Sequence, residues 1–423
     1  MTRQRERTTV TAGRVGLAGR MAPSLPHGAI ALDIGGSLIK AAVFCARGRE
    51  LARAPLSDVR VPPLAGRPAV HPPLELSSFG GAVHFGAVDA SAIGACIESV
   101  AAHCGASARD ARVRMPATGG GATKHAPDFA AAGIELQPRA EIDAMACGLE
   151  GTLMHGSSEG EAFELHTGDP LEPCPPSRAA TLARRYVLLR APPPSPPPRI
   201  YPYLLASLGS GMSVVLVHGP QAAERERVGG SSIAGGTFNH LGRMVAALAH
   251  ARAEGGEGGG SACAVGCDPA TARARAPLGY EALLDLAERG DASRADVTVG
   301  DIYGPNGCAA LSLPPSVPAA SLGRADAGGV RAPRAADLAQ SLLWMVAWNG
   351  AQLAALDARR LNVRDIFFTG GLAAGRAYPM AVLSNSVRFN SAGSARALFV
   401  RRDGCLGALG ALLMSEKARD EWR

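Results

Sequence analysis

From Ala29 onward, short and almost continuously apolar runs alternate with longer segments in which apolar residues recur every three or four positions. Such alternation of strand-like and helix-like patterning predicts an α/β fold. The stretch AIALDIGGSLIKAAVF, from Ala29 to Phe44, gives the sharpest case: an apolar strand with one acid, Asp33, a break at Gly35-Gly36, and a second strand bearing a lone lysine, Lys40. GAVHFGAV follows as a strand and DASAIGACIESVAAH as a helix that Asp89 or Ser91 caps. ARVRMPATGGG reads as strand and turn, and RAEIDAMACGLEGTLM as a helix whose Ile142, Met145 and Leu149 share one face. In the second half, YPYLLASLGSGMSVVLV predicts two strands around a glycine turn, and RVGGSSIAGGTFNHLGRMVAAL a glycine-rich loop entering a helix. YEALLDLAERG, DLAQSLLWMVAWNGAQLAALDA and GCLGALGALLMSEKARDEW supply three more helices, with the apolar strand DIFFTGG between the last two.

Two stretches break the alternation. Between His155 and Pro198 the composition shifts to Pro, Ser and Glu and ends in APPPSPPPR, which no helix or central strand accommodates. ARAEGGEGGGSACAVGCDPATARARA reads as a flexible linker. The expected organisation is an N-terminal tail (1–28), a first lobe (29–154), an exposed Pro-rich insertion (155–199) and a second lobe (200–418) interrupted at about 252–276. No repeat of fixed period occurs, yet the strand-Gly-strand device appears once in each half.

A length of 423 residues with 47% hydrophobic content suffices for two packed lobes. The formal net charge of +6 permits an anionic partner. However, only Lys40, Lys124 and Lys417 are lysines, so 40 of the 43 basic residues are arginines, scattered with no basic block among aromatics. That pattern speaks against a nucleic-acid partner. In so arginine-biased a chain, a lysine points to a position that wants a compact ammonium. Nine cysteines, an odd count in no regular framework, predict free thiols and an intracellular, cytoplasmic protein. Cys263 and Cys267, the closest pair, lack a second ligand pair for zinc. No apolar run has the length of a membrane span. The first 28 residues hold five arginines and one acid, a composition shared by organelle transit peptides. They show no apolar helical face, which favours a disordered tail over organelle import.

At a glycine turn between strands, backbone N–H groups point into the gap and a phosphate approaches without meeting a Cβ. Asp33 ends the first strand, where a carboxylate holds Mg²⁺ directly or through water. Alone, D-x-G-G also describes a plain hairpin turn with a polar rim. The device recurs as SLGSGMS, while GGSSIAGGTF opens a helix whose N-terminus favours an anion, and TGG at 369–371 ends an apolar strand. Two such turns in separate halves suit a two-lobed ATP clamp, so the predicted fold is the two-lobed ATPase class of actin, hexokinase and Hsp70. The nucleotide contacts expected are Asp33, Gly35, Gly36, Ser37, Lys40, Gly209, Ser210, Gly211, Gly235, Gly236, Gly370 and Gly371, with Asp33 as metal ligand.

DIGGSLIK, ATGGGATK, the EIDAM segment, YPYLLASLGSGMS, RVGGSSIAGGTF, GDASRADVTVGDIYG and RALFVRRDGCLGALGALL resemble, in the same order, the motifs of eukaryotic-type (type II) pantothenate kinases. The resemblance runs from Ala29 to Met414 apart from the two insertions. It implies phosphorylation of pantothenate to 4'-phosphopantothenate with ATP and Mg²⁺, the first step of coenzyme A synthesis. It further implies feedback inhibition by acetyl-CoA or another acyl-CoA, and a homodimer. By the same resemblance the catalytic base falls on Glu141, and the pantothenate and acyl-CoA contacts on Ser210, Ser213 and Arg227.

Read from the residues alone, Glu141 offers a carboxylate from the first turn of a helix, which serves general-base chemistry or merely favours a helix N-terminus. Asp143 points to another face. Arg227 has a fork of donors suited to a substrate carboxylate or hydroxyl, but as one of forty arginines it gains weight only from its motif. Ser210 and Ser213 bind phosphate or substrate, or satisfy local backbone. Trp344 and Trp348, one helical turn apart, read as core or interface. TGGLAAGRAYPMAVLSNSVRFNSAG, in the region that helps shape the acyl-CoA pocket of relatives, follows the family only loosely, and the chain resembles members without an appended phosphatase-like domain. Two alternatives remain: another small-molecule or sugar kinase of the same fold, or a non-catalytic acyl-CoA-binding pseudokinase.

Overall fold

The computed structural model describes residues 25–36, 38–51, 56, 73–105, 113–155, 161–166, 183–187, 200–254, 278–328, 332–373 and 376–415. In the first half the elements are β1 (Ile30–Ile34), β2 (Leu38–Ala46), β3 (Leu74–Leu76), β4 (Gly81–Asp89), α1 (Ile93–Cys104), β5 (Val113–Thr118), α2 (Gly120–Lys124), α3 (Ala126–Ala131), β6 (Ile134–Pro138) and α4 (Glu141–His155). The strands β7 (Ala162–His166), β8 (Ala183–Val187), β9 (Tyr203–Leu208), β10 (Met212–Val217) and β11 (Arg225–Ser231) then lead into α5 (Gly235–Glu254) and α6 (Tyr280–Glu288). After β12 (Val297–Thr298), α7 (Val299–Leu311) and β13 (Pro318–Ala320) come α8 (Ala335–Leu361), β14 (Asp365–Thr369), α9 (Ala377–Asn390), β15 (Arg396–Val400) and α10 (Leu406–Leu413).

Chain reversal after β1 follows from the Gly35 N–H donating to the Leu38 carbonyl at 2.9 Å, which sets β1 antiparallel to β2 with Asp33 opposite Lys40. β1 is buried at Ile30, Ala31, Leu32 and Ile34, as a near-continuous apolar run in a sheet covered on both faces should be. The first sheet runs β3-β4-β2-β1-β5-β6 and the second β11-β10-β9-β14-β15-β7-β8. In each, a first strand pairs antiparallel with the second, the second antiparallel with the third, and the other edge of the first strand takes two parallel neighbours. The two halves thus share one topology although no sequence period links them. The two-lobed architecture is the one expected; the shared topology of the halves was not.

Helices α4 and α10 lie between the sheets. Ala144 of α4 and Leu409 of α10 pack in the core of the first sheet, with Ala31 and Phe44, while Leu149 and Leu406 pack against Tyr203 and Phe367 of the second. Glycine lets them approach: a Cβ at Gly148 would stand 2.0 Å from the Leu406 carbonyl, and one at Gly410 1.7 Å from that of Ala144. Ile142 and Met145 join Leu149 on the predicted face. Trp344 and Trp348 stack at 4.8 Å inside the second core. Asp89 accepts the Ser91 N–H at 2.8 Å and opens the turn ahead of α1.

Several boundaries differ from expectation. RVGGS is a strand and not a loop, because β11 pairs along β10 across a register shift between Val214 and Val215. The interval 155–199 is not wholly an exposed insertion: β7 pairs with β15 and buries Phe163 and Leu165 in one core cluster and Ala162 in another. Leu25 is buried against the first sheet, so packing begins ahead of Ala29. The last helix, assigned to the second lobe, packs on both lobes. Residues 1–24, Ser37, the APPPSPPPR run, the Cys263 and Cys267 pair and the rest of 255–277 lie outside the described residues. Among the described residues, no helix is long and apolar enough to cross a membrane.

Candidate active site

The two glycine turns face one another across a cleft of about 590 Å³, a volume ordinary for a small-molecule site. The first lobe contributes Asp33, Gly35, Gly36, Gly119, Gly120 and Glu141 to its walls. From the second come Ser207, Gly209, Ser210, Gly211, Met212, Ser213, Arg227, Ser231 and Ser232.

On the first wall, Lys40 Nζ lies 3.2 Å from Asp33 Oδ2, both side chains mostly buried. Burial is the largest influence and would lower the lysine's pKa, but the Asp33 carboxylate, with Cys405 and Asp403 adding to it, more than offsets burial and holds the ammonium above its ordinary value. Gly119 stands beside this pair at φ +83°, where a Cβ would come within 2.6 Å of the Ile34 carbonyl and 2.9 Å of Asp33 Oδ1. A Cβ at Gly36 or Gly120 would meet nothing within 4 Å, so both leave backbone open to the cleft. Thr118 Oγ donates to the Arg139 carbonyl (3.0 Å) and the Arg139 N–H to that of Ala117 (2.7 Å), fixing the loop that launches α4. Glu141 therefore enters the cleft from the first turn of α4. Desolvation between the walls and then the negative charge of Asp33 push its carboxyl up, with Lys40 opposing.

On the second wall, Ser207 and Ser213 are register partners on β9 and β10, and Gly209, Ser210 and Gly211 form the turn between them. Arg227 projects from β11, and a Cβ at Gly230 would lie 2.6 Å from its Nη2, so glycine makes room for the guanidinium. Gly235 and Gly236 begin α5 directly behind the turn: the Gly236 N–H donates to the Ser210 carbonyl at 3.0 Å. They brace the turn and do not line this cleft. Gly370 and Gly371 are likewise outside the lining; the Gly370 N–H donates to both carboxylate oxygens of Asp403, at 3.0 and 3.2 Å.

The expected Asp33, Gly35, Gly36, Glu141, Gly209, Ser210, Gly211, Ser213 and Arg227 thus converge on one cleft, and Lys40 reaches it through Asp33. Gly119 and Gly120 belong to the ATGGGATK motif but were not singled out from it. Ser207 and Met212 likewise belong to YPYLLASLGSGMS, and Ser231 and Ser232 to RVGGSSIAGGTF, without having been distinguished within those motifs.

Among the described residues, no three His, Cys, Asp or Glu side chains are grouped to hold a metal by themselves. Magnesium commonly uses one or two carboxylates together with substrate phosphate oxygens, and Asp33 beside the glycine turn fits such a shared ion. The backbone left open at Gly36 and Gly120, across the cleft from the Arg227 guanidinium and serine hydroxyls, fits a polyphosphate.

The family model described as Fumble matches residues 29–253 and 273–414. Pantothenate kinase 2 of Oryza sativa subsp. japonica is 31% identical over 405 residues, covering 92% of this chain and 38% of that protein. A mouse protein named 4'-phosphopantetheine phosphatase is 30% identical over 388 residues, covering 90% and 40%. The chain spans less than half the length of these curated relatives. Among solved structures, a glucokinase from Balamuthia mandrillaris in complex with glucose matches at TM-score 0.44 and 9% identity, covering 91% of this chain and 92% of that one.

Proposed function

The chain belongs to the Fumble family, and from that premise we propose that it is a pantothenate kinase, transferring the terminal phosphate of ATP to the hydroxyl of pantothenate. The observation that carries the reading is Glu141 facing Ser210 and Arg227 across one cleft floored by glycine turns. The relative from Oryza sativa, named a pantothenate kinase, supports the substrate.

Phosphoryl transfer needs in-line positioning, charge neutralisation and a carboxylate at the attacking hydroxyl. Glu141 would accept the hydroxyl proton, and its raised pKa makes it the better base. Arg227 would pair with the pantothenate carboxylate while Ser210 and Ser213 hold its polar groups. Lys40 and the backbone at Gly36 and Gly120 would steady the phosphates. Asp33 would hold Mg²⁺, which when bound supplies neutralisation of phosphate charge. Inhibition by an acyl-CoA at Ser210, Ser213 and Arg227, a homodimer and a cytoplasmic location complete the proposal.

A second reading is a binding module without turnover. The mouse relative carries the name of a phosphatase and not of a kinase, so family membership alone does not fix kinase turnover; Glu141 and Arg227 on the same cleft oppose this second reading. ADP release measured with pantothenate, glucose or an N-acetylhexosamine as acceptor separates the readings. Release with pantothenate alone supports the proposal; release with a hexose, or with none of the three, overturns it.

A further inference from the structure

Glu141 and Arg227 sit on different lobes, and a buried ion cluster joins the elements that carry them. Along α4, Asp143, Cys147 and Glu150 form one stripe at spacings of four and three. Arg225, the first residue of β11, reaches that stripe: Nη1 donates to Asp143 Oδ1 at 3.0 Å and to the Asp143 carbonyl at 3.3 Å, and Nη2 to Glu150 Oε2 at 3.4 Å. Nη2 also donates to the Pro220 carbonyl at 2.8 Å. The Tyr203 hydroxyl donates to Glu150 Oε1 at 3.1 Å, with Tyr201 stacked on its ring. The Arg225 side chain is 5% exposed and that of Glu150 2%.

Register adds the functional link. Arg225 pairs with Val217 and Arg227 with Val215, so both arginines leave β11 on the face where Val215 and Val217 pack against Ala146 and Leu149 of α4. Arg225 and Arg227 are thus two residues apart on one face of a strand, as Glu141 and Asp143 are two apart on a helix. Burying one arginine with two carboxylates is a poor route to stability, since desolvation consumes the Coulombic gain; its use lies in geometry.

We propose that Arg225 is a positioning residue: bound to Asp143 and Glu150 of α4, it sets the distance and angle between Glu141 and Arg227 across the cleft. The inference rests on reading that cleft as the site of phosphoryl transfer. Its test compares Arg225→Gln, Arg225→Lys and the milder Asp143→Asn, at a half-buried position, with the unmodified chain. Both Arg225→Gln and Asp143→Asn are expected to lower kcat for pantothenate about tenfold or more, since small misplacements near a reaction centre cost that much. The KM for ATP should stay within about twofold, and the double variant should be no worse than Arg225→Gln, because both cut one tie. Arg225→Lys should rescue only in part, because a compact ammonium does not reproduce the planar fork whose separate nitrogens meet Asp143 and Glu150. Full kcat in folded Arg225→Gln, or losses that simply add, would overturn the inference. An unmodified chain that leaves pantothenate untouched sinks the reading of the cleft instead. Hydrogen exchange then decides on Arg225 without any substrate: faster exchange in Arg225→Gln confined to the first turn of α4 and to β11 upholds the tie, and unchanged exchange there refutes it.

Discussion

Lys40 Nζ stands 3.2 Å from Asp33 Oδ2 at directly paired positions on adjacent strands, so the one lysine and the one acid of the first hairpin form a unit at the cleft wall. Removing the ammonium would leave Asp33 with an uncompensated charge at the cleft wall. Lys40→Met is expected to lower kcat by about 10²–10³-fold, the usual loss of one charge-stabilising donor. Lys40→Arg should restore little of it, because the planar guanidinium does not fit where a slim stem is buried. Steady-state kinetics with titrated Mg²⁺ measure both, and a fully active Lys40→Met would remove Lys40 from the site.

The pH dependence of turnover should carry the signature of Glu141. Its carboxyl is raised by desolvation and then by Asp33, so the protonated, inactive form persists to higher pH than for an ordinary glutamate. kcat/KM is expected to fall with acidification through a pKa above the ordinary value, and a limb at or below that value would contradict it.

Two glycines with opposite surroundings separate folding from binding. Gly410→Ala forces a Cβ to within 1.7 Å of the Ala144 carbonyl, pushing α4 and α10 apart at a cost of about 1–3 kcal/mol or more. Gly36→Ala meets nothing within 4 Å and should leave the melting temperature unchanged while weakening nucleotide affinity. Thermal melts with and without ATP distinguish them; equal destabilisation by both would contradict the placement of Gly36 on the open wall.

What the sequence disclosed, and what it hid, follows from range. The Asp33-Gly35-Gly36-Lys40 hairpin and the Gly209-Ser210-Gly211 turn were legible because pattern, breaker and polar residue lie within a few positions. β11 was not: Gly229 and Gly230 read as loop residues, and only their neighbours explain them, Asp357 Oδ2 lying 2.3 Å and Arg227 Nη2 2.6 Å from the Cβ positions. Arg225 was invisible among forty arginines, since its partners Asp143 and Glu150 are 82 and 75 residues away. β7 was masked by the proline-rich stretch around it, although FELH, from Phe163 to His166, alternates as a strand should.

Glu150 gives a prediction about stability. Burial chiefly pushes its carboxyl up to about 7, with Arg225 and the Tyr203 and Tyr201 hydroxyls opposing. A carboxyl raised in the folded state contributes stability that is fully present below its ordinary pKa and is lost as pH rises through about 7. Glu150→Gln removes that loss while Asp143 still balances Arg225. The melting temperature of the variant relative to the unmodified chain should therefore rise between pH 5 and pH 8, measured by calorimetry; a difference independent of pH would contradict the burial of the charge.

One measurement bears most directly on the cleft as a phosphoryl-transfer site. Purified chain is mixed with ATP, Mg²⁺ and pantothenate, the product is read by mass spectrometry, and Glu141→Gln is run beside it with nucleotide binding checked separately. The expected result is 4'-phosphopantothenate from the unmodified chain, with Glu141→Gln binding ATP but forming product at least about 10²-fold more slowly. No phosphorylated pantothenate from the unmodified chain, or equal rates from the two, would contradict the account.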